Sequence, residues 1–445
     1  MVILALFTAA LSAQMGPKQI HPAVQQLVEG ISPARIEASM RTLVSFETRG
    51  NFTETTHPTR GIGAARRWIH DQFRSYSSRL DVRYDSRKVG RQGRIFRDLE
   101  VVNVVAELKG TRHPERQIVI CAHYDSLNLG QRESAGRPPQ ISGSTAIDAA
   151  TEKLAMSAAP GASDNASGVA AVLEMARVLS QHEFDKTLVF VAFAGEELGL
   201  VGSSLHAQRA KRDGQTIEAV LNSDIIGTEQ GGDGRHDNRR VRVFSADPAD
   251  SVSRQLARYV KEIGERYVPE LEANLIFRAD RFSRAGDHTS FESEGFAAVR
   301  FTSAVENYAH QHSPTDTMEH ASPSYAAKVT RMKTAVAASL ALAPKPPALT
   351  AQPGRGRSSY EAALRWEYPG AGDDVAGFAI LIRRTTSPLW EREIHIGRRM
   401  DYTIPGLDID DWVFGIKAIG KEGHESLVAA WVAAAPAVRT YYTVE

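Results

Sequence analysis

Short apolar runs that alternate with amphipathic stretches constrain the fold of this chain more than any other feature. The runs are nearly continuous and rich in β-branched residues, as is typical of strands buried on both faces of a sheet. They lie at 101–106, 118–120, 188–193 and 297–301. Helical periodicity marks the stretches 167–181, 251–265 and 323–342. The sequence therefore predicts an α/β domain with three layers, α/β/α, around a mixed, mostly parallel central sheet.

Changes in composition predict where the domains begin and end. Residues 1–18 contain an apolar run that ends in small residues, which is typical of a secretory signal and predicts export to the periplasm or outside the cell. No basic residue follows Met1, so the alternative is an N-terminal helix packed on the domain of a cytoplasmic protein. We expect the layered domain over 19–343 and a proline-rich linker at 344–348. Alternating strands separated by turns predict a small β-sandwich over 349–445.

The charge balance excludes several classes of partner. The chain has 53 basic and 53 acidic side chains, so no net field attracts nucleic acid or an acidic membrane. No stretch after the leader approaches the roughly 20 apolar residues that span a bilayer. The single cysteine, Cys121, cannot form an intrachain disulfide and lies in an apolar run, which predicts an inert core position.

Acids and histidines follow the predicted strands at the points where those strands end. In an open α/β sheet, ligands bind at the carboxyl ends of the strands. The candidate groups at these ends are His123, Asp125, Glu196, Glu197, Asp224, His310 and His312, with Asp164 directly before a helix. Imidazoles and carboxylates without thiolates suit zinc in a catalytic site. Because one ion needs only three protein ligands, the surplus acids predict two zinc ions that share one carboxylate.

Five segments resemble the co-catalytic zinc aminopeptidase family in both order and spacing. They are His123-Tyr124-Asp125, 164–168, 193–203, 222–227 and 312–317, within a similarity that covers roughly 60–343. The resemblance reaches the wider superfamily of bacterial leucyl-type aminopeptidases and glutamate carboxypeptidase-like enzymes. Carried over to this chain, the resemblance implies that Asp164 bridges two zinc ions, with His123 and Asp224 on one ion and Glu197 and His312 on the other. It also implies that Glu196 is the general base and that Asp125 orients His123.

Substrate contacts follow less directly from the resemblance. Tyr308 either donates to the substrate carbonyl or packs in the core, and Arg284 and Asp287 belong to a segment similar to one near the family's specificity pocket. His310 competes with His312, but only His312 is followed by the family's motif. The stretch 127–163 is longer than in compact relatives and forms either a rim over the site or a surface insertion.

The expected function is hydrolysis of the N-terminal residue from peptides with a free N-terminus. A carboxypeptidase of the same superfamily is an alternative, since Arg278, Arg281 and Arg284 could bind a C-terminal carboxylate. A glutaminyl cyclase with one zinc ion and an inactive binding homologue are further alternatives. The C-terminal part resembles a fibronectin type III module at 363–366 and 401–407, and we expect it to contact the catalytic domain or an extracellular partner. Monomer and dimer are both open.

Overall fold

A computed structural model describes residues 20–432, except for 130–148, 283, 356–359, 371 and 373. The chain divides into two compact units, one spanning Ile20–Leu342 and the other containing the residues from Ala343 onward. The predicted leader, residues 130–148 of the long stretch 127–163, and residues 433–445 of the predicted sandwich lie outside the described residues. Export therefore stays a prediction.

The larger unit is built on a sheet of eight described strands. In chain order they are β1 (Leu80–Val89), β2 (Leu99–Leu108), β3 (His113–His123), β4 (Lys186–Phe193), β5 (Thr216–Ser223), β6 (Arg240–Phe244), β7 (Glu272–Ile276) and β8 (Ala298–Ser303). Across the sheet the order is β1-β2-β4-β3-β5-β8-β6-β7. The central strands β4, β3, β5 and β8 are parallel, whereas β2 runs antiparallel to β4 and β6 antiparallel to β8. The predicted mixed, mostly parallel sheet is confirmed.

Helices cover both faces of this sheet. They are α1 (Pro22–Glu29), α2 (Pro33–Ser45), α3 (Gly61–Tyr76), α4 (Ala149–Ala155), α5 (Ser167–Leu179), α6 (Val201–Arg212), α7 (Val252–Tyr267), α8 (Asp287–Ser293) and α9 (Pro323–Leu342). Helices α6 and α8 pack together on one face, where Ala207 and Phe291 join Val119 and Cys121 in one core cluster. Helices α5 and α9 pack against β3 and β4 on the other face. These three layers confirm the predicted fold class.

The smaller unit is a β-sandwich of two antiparallel sheets. Its strands are β9 (Ala348–Leu349), β10 (Gly354–Arg355), β11 (Glu361–Glu367), β12 (Val375–Arg384), β13 (Arg392–Gly397), β14 (Asp401–Pro405), β15 (Trp412–Gly420) and β16 (Ala429–Ala430). One sheet has the order β10-β11-β14, with β9 also paired to β11, and the other has the order β13-β12-β15-β16. Trp366, Phe378 and Ile416 are buried in the core between them. The fibronectin type III resemblance stays a prediction.

Among the described residues, no helix has both the length and the apolar character that a membrane span requires.

A buried charge cluster lies at the edge of the sheet where the parallel strands begin. Arg116 on β3 and Lys186 on β4 are each 1% exposed, and both pair with Glu218 on β5. The Lys186 Nζ lies 2.7 Å from Glu218 Oε2. Burial lowers the pKa of Lys186 to about 8, although Glu218 acts in the opposite direction. One carboxylate therefore compensates two buried cations.

Replacing Glu218 by glutamine should lower the free energy of unfolding by about 3–5 kcal/mol, because two buried cations lose their carboxylate. Urea denaturation at pH 7 in the presence of zinc measures this change. The matched control is Glu115→Gln on the neighbouring strand, where the side chain is 59% exposed. We expect the control to change the free energy by less than about 0.5 kcal/mol. Equal effects in the two variants would contradict the structural role of Glu218.

Candidate metal centre

The candidate site lies at the carboxyl edge of the central sheet, as the sequence predicts from the strand ends. His123 is the last residue of β3, and Asp224 directly follows β5. Glu196 and Glu197 follow β4, and His312 lies in the loop after β8. Because these strands are neighbours and parallel, their ends converge on the loop that carries Asp164, just before α5.

Asp164 lies between the two histidines. Its Oδ1 is 3.3 Å from His123 Nε2, and its Oδ2 is 3.0 Å from His312 Nε2. His123 Nε2 also lies 3.3 Å from Asp224 Oδ1, and His312 Nε2 lies 3.3 Å from Glu197 Oε1. The five predicted ligands thus form two sets that share Asp164.

The donor atoms of these sets suit metal ions. The ligand atoms of His123, Asp164 and Asp224 lie within 4.8 Å of one another, as do those of Asp164, Glu197 and His312. All five residues except His312 are buried, with side chains at most 4% exposed, and His312 is 10% exposed. Apart from the nearby His312 ring, no group in the described part of the chain is placed to donate a hydrogen bond to the buried Glu197 Oε1. Two imidazoles and three carboxylates in this arrangement fit zinc, which binds nitrogen and oxygen ligands in catalytic sites.

Glu196 lies beside these two sets without completing either of them. Its carboxylate comes within 4.8 Å of ligand atoms of His123 and Glu197. Burial raises the pKa of Glu196 well above its usual range, and His123 only partly offsets this effect. For His123 the balance is opposite: burial disfavours the charged ring, but Glu196, Asp125, Asp164 and Asp224 raise its pKa well above the usual value. A carboxylate so placed can exchange a proton with a molecule in the site.

Asp125 holds the main chain of the two glutamates as well as the first histidine. Its Oδ1 accepts a hydrogen bond from the Glu196 N–H at 3.3 Å, and its Oδ2 accepts one from the Glu197 N–H at 3.1 Å. Asn51 Nδ2 donates to the same Oδ2 at 2.7 Å. His123 Nδ1 lies 3.1 Å from the main-chain oxygen of Asp125 and 3.5 Å from Oδ1. The nearer partner of the ring is therefore the carbonyl rather than the carboxylate.

The loop that carries Asp164 is fixed by two neighbouring segments. Asp316 Oδ1 and Oδ2 accept hydrogen bonds from the main-chain N–H groups of Ser163 and Asp164, each at 2.9 Å. Asn165 Nδ2 donates to the Ser223 carbonyl at 2.9 Å. A Cβ at Gly168 would lie 2.6 Å from that carbonyl oxygen, so only glycine permits this close approach. These contacts explain why the segments 164–168 and 312–317 carry residues other than the ligands.

Several residues of the site have left-handed backbone conformations. Ile225, directly after Asp224, has φ 60°, and His312 has φ 51°. A positive φ is unfavourable for residues other than glycine, particularly for a β-branched one, and costs of order 1–3 kcal/mol. The Ile225 N–H and carbonyl are both used, since they pair with Asn165 Oδ1 and the Ser303 N–H. The surrounding loops therefore impose these conformations on the two segments that carry ligands.

Two buried arginines support the site and were not predicted. Arg300 on β8 lies 3.0 Å from Asp224 Oδ2 and donates to both oxygens of Asp280. Arg49 is fully buried and donates to the carbonyls of Leu43, Tyr124, Pro160 and Gly161. Arg300 could have been found as a charge inside an apolar strand, because a buried charge requires a partner. No sequence signal marks Arg49.

A cavity of 670 Å³ opens over the site. The predicted ligands His123, Asp164, Glu197, Asp224 and His312 line it together with Glu196, Tyr308 and Arg284. Tyr308 is 59% exposed, which excludes the alternative of a packed core tyrosine. Its hydroxyl donates to Glu306 Oε1 at 3.4 Å.

Two candidate residues lie away from this cavity. Asp287 is fully buried at the start of α8 and is not among the lining residues, and its contact with substrate stays a prediction. His310 stacks on His320 at 3.7 Å between ring centroids, apart from the two ligand sets. This placement favours His312 over His310 as the metal-binding histidine.

Two solved structures have a similar fold. The LapA aminopeptidase of Legionella pneumophila matches with a TM-score of 0.51 and 20% identity, over 74% of this chain and 78% of that one. A glutaminyl cyclase of Porphyromonas gingivalis matches with a TM-score of 0.50 and 18% identity, over 69% and 97%. At such identities the likeness shows the fold alone. Because the two proteins are named for different reactions, the fold does not choose between those reactions.

Sequence relatives and a family model identify the family of this chain. A probable zinc metalloprotease of Pyricularia oryzae is 34% identical over 94% of this chain and 85% of its own length. The model of Peptidase family M28 matches residues 103–337, which include every predicted metal ligand. The predicted resemblance to zinc peptidases is confirmed, and the chain belongs to Peptidase family M28.

Proposed function

We propose that this zinc metallopeptidase removes the N-terminal residue from peptides and that it does so with two zinc ions. His123, Asp224 and Asp164 would hold one zinc ion, and Glu197, His312 and the same Asp164 would hold the other. The observation that carries the proposal is the position of Asp164, whose two oxygens face different histidines at 3.3 and 3.0 Å. A carboxylate whose two oxygens face different histidines is suited to bridge two cations.

The side chains of the site have different roles in the proposed reaction. When bound, zinc polarises the scissile carbonyl and lowers the pKa of water. Glu196 accepts the proton of the attacking water and returns it to the departing amine, as a general base and then a general acid. The Asp125 carboxylate keeps Glu196 in place through the main-chain N–H at 3.3 Å. Tyr308, exposed at the cavity wall, is the candidate donor to the substrate carbonyl oxygen.

A carboxypeptidase of the same superfamily is the second candidate, and one observation favours it. Arg284 lines the cavity, and the described residues include no carboxylate within ion-pair distance of its guanidinium. The other two arginines of the predicted cluster have partners of their own, although Arg281 also lines the cavity. Arg281 pairs with Glu306, and Arg278 stacks on the ring of Phe282 at 3.6 Å from its centroid.

A glutaminyl cyclase and an inactive homologue have less support. A glutaminyl cyclase of this fold is expected to use a single zinc ion, whereas this chain brings together two groups of residues that could each hold a metal ion. An inactive binding protein would have no need of Glu196 beside complete ligand sets. Fold likeness to a glutaminyl cyclase does not alter this ranking, because fold alone does not fix the reaction.

A chelation and reconstitution assay tests the proposed function. The protein is stripped with a chelator, reloaded with counted equivalents of zinc, and assayed on leucyl-p-nitroanilide and N-acetyl-leucyl-p-nitroanilide. We expect activity to fall on chelation, to return with zinc up to two equivalents, and to appear only on the free amine. Preference for peptides blocked at the N-terminus would select the carboxypeptidase. Formation of pyroglutamate from a Gln-peptide without hydrolysis would select the cyclase.

A further inference from the structure

Arg284 is a surplus cation on the wall of the cavity. Its Nη1 donates a hydrogen bond to Gln311 Oε1 at 3.2 Å, and no described carboxylate lies within ion-pair distance of its guanidinium. Burial works against its charge, but Asp164 and Glu306 keep its pKa raised, so it is permanently charged. A guanidinium without a carboxylate partner, in a partly closed cavity, is a ready binding group for an anion.

Neighbouring charges leave Arg284 without a partner because they satisfy each other. The buried Glu306 carboxylate accepts hydrogen bonds from Arg281 at 2.5 Å, from Arg242 at 3.2 Å and from Gln311 Nε2 at 3.1 Å. The Gln311 amide is therefore oriented with its oxygen toward Arg284. Glu306 therefore pairs with Arg242 and Arg281, and Gln311 connects it to Arg284 by hydrogen bonds.

The charge balance of the cavity points in the same direction. Its lining contains four acids, Asp164, Glu196, Glu197 and Asp224. Two divalent cations would balance these four carboxylates, and the lining also contains Arg94, Arg281 and Arg284, of which Arg281 pairs with Glu306. An arginine on the wall attracts an anionic group of a substrate to that part of the cavity.

We propose that Arg284 is a specificity-determining residue that binds a carboxylate of the substrate. This proposal rests on the proposed peptidase function. The carboxylate has two possible sources: the α-carboxylate of a short peptide or the side chain of an acidic residue next to the scissile bond. In either case the guanidinium offers paired N–H donors that match the two carboxylate oxygens.

The experiment compares substrates that differ only in one carboxylate. The first pair is Leu-Leu and Leu-Leu-amide, whose side chains suit the exposed aromatic rings of Phe282 and Tyr308 at the same cavity. The second pair is Glu-p-nitroanilide and Gln-p-nitroanilide. The zinc-loaded wild-type protein should prefer the acid in at least one pair by about 10- to 100-fold in kcat/KM, the value of a hydrogen bond to a charged group. The pair that shows the preference identifies the source.

Arg284→Met should abolish the preference for the acid substrate. Its kcat/KM on the amide substrate of the same pair should stay within about threefold of the wild-type value. Arg284→Lys keeps a charge without the paired donors and should retain a weaker preference. The matched control is Arg212→Met, which removes a 70% exposed arginine at the end of α6 that does not line the cavity. The control should match wild type on all four substrates. An equal loss on acid and amide in Arg284→Met, or no preference in wild type, would overturn the proposal.

A binding measurement separates this proposal from the proposed function. If the zinc-loaded protein hydrolyses no peptide, the function fails, and calorimetry of Leu-Leu and Leu-Leu-amide then tests Arg284 directly. Tighter binding of the acid to wild type, lost in Arg284→Met, supports the carboxylate subsite. Equal binding of acid and amide to wild type overturns it.

Discussion

Replacing Glu196 by glutamine should lower kcat by about 10²- to 10⁴-fold, the usual contribution of a general base, while zinc content stays at the wild-type level. Glutamine keeps the size of the side chain but cannot accept the proton of water. Glu196 belongs to neither of the ligand sets that share Asp164, so its loss should leave metal binding intact. The main-chain hydrogen bond from Glu196 to Asp125 is also kept. The measurements are steady-state rates on leucyl-p-nitroanilide and metal content per chain.

The control for this variant is Glu183→Gln, which makes the same chemical change at an exposed position after α5. We expect its rate and zinc content to match wild type. A Glu196→Gln protein with full zinc content and a rate within about threefold of wild type would exclude the general-base role. If Glu196→Gln lost both its zinc and its activity, we would instead conclude that Glu196 is a metal ligand.

The central strands could be predicted from the sequence because they are buried on both faces. In β4 every residue is buried, so its apolar run stands out against the flanking segments. Strand β1 was missed for the opposite reason. It is an edge strand in which only the end residues Leu80 and Val89 are buried, and its exposed side chains show no alternation. Edge strands of this kind give little hydrophobic signal.

The location of the metal centre could also be predicted, since parallel strands end at one edge and the polar residues follow them directly. The supporting contacts could not. Arg49 donates to the Gly161 carbonyl across 112 positions of the chain, and such a contact depends on how loops pack rather than on any local pattern. Asp287 shows the same limit. Its segment was predicted to contact substrate, and the sequence gives no sign that the side chain is fully buried at the start of α8.

Replacing Asp164 by asparagine should remove zinc rather than slow the chemistry alone. In Asp164, one carboxylate oxygen faces His123 and the other faces His312. Asparagine keeps one of these oxygens but loses the negative charge and the second oxygen. One of the two proposed zinc sites would therefore lose a ligand atom. Changes to residues that merely support ligands typically cost 10- to 100-fold in metal affinity, so loss of a bridging ligand should cost at least about 100-fold. Dialysis against a zinc buffer followed by metal analysis measures this loss.

Thermal unfolding provides an independent measure of the same effect. A ligand that binds only the folded state raises stability with its concentration, so zinc should raise the Tm of wild type and of Glu196→Gln alike. For Asp164→Asn the rise should be much smaller at the same zinc concentration. Circular dichroism of the metal-free proteins checks that both variants are folded. If Asp164→Asn retained two zinc ions with unchanged affinity, Asp164 could not be the bridging ligand. Glu196→Gln is the reference variant in this comparison, because we expect it to lose activity but keep its zinc.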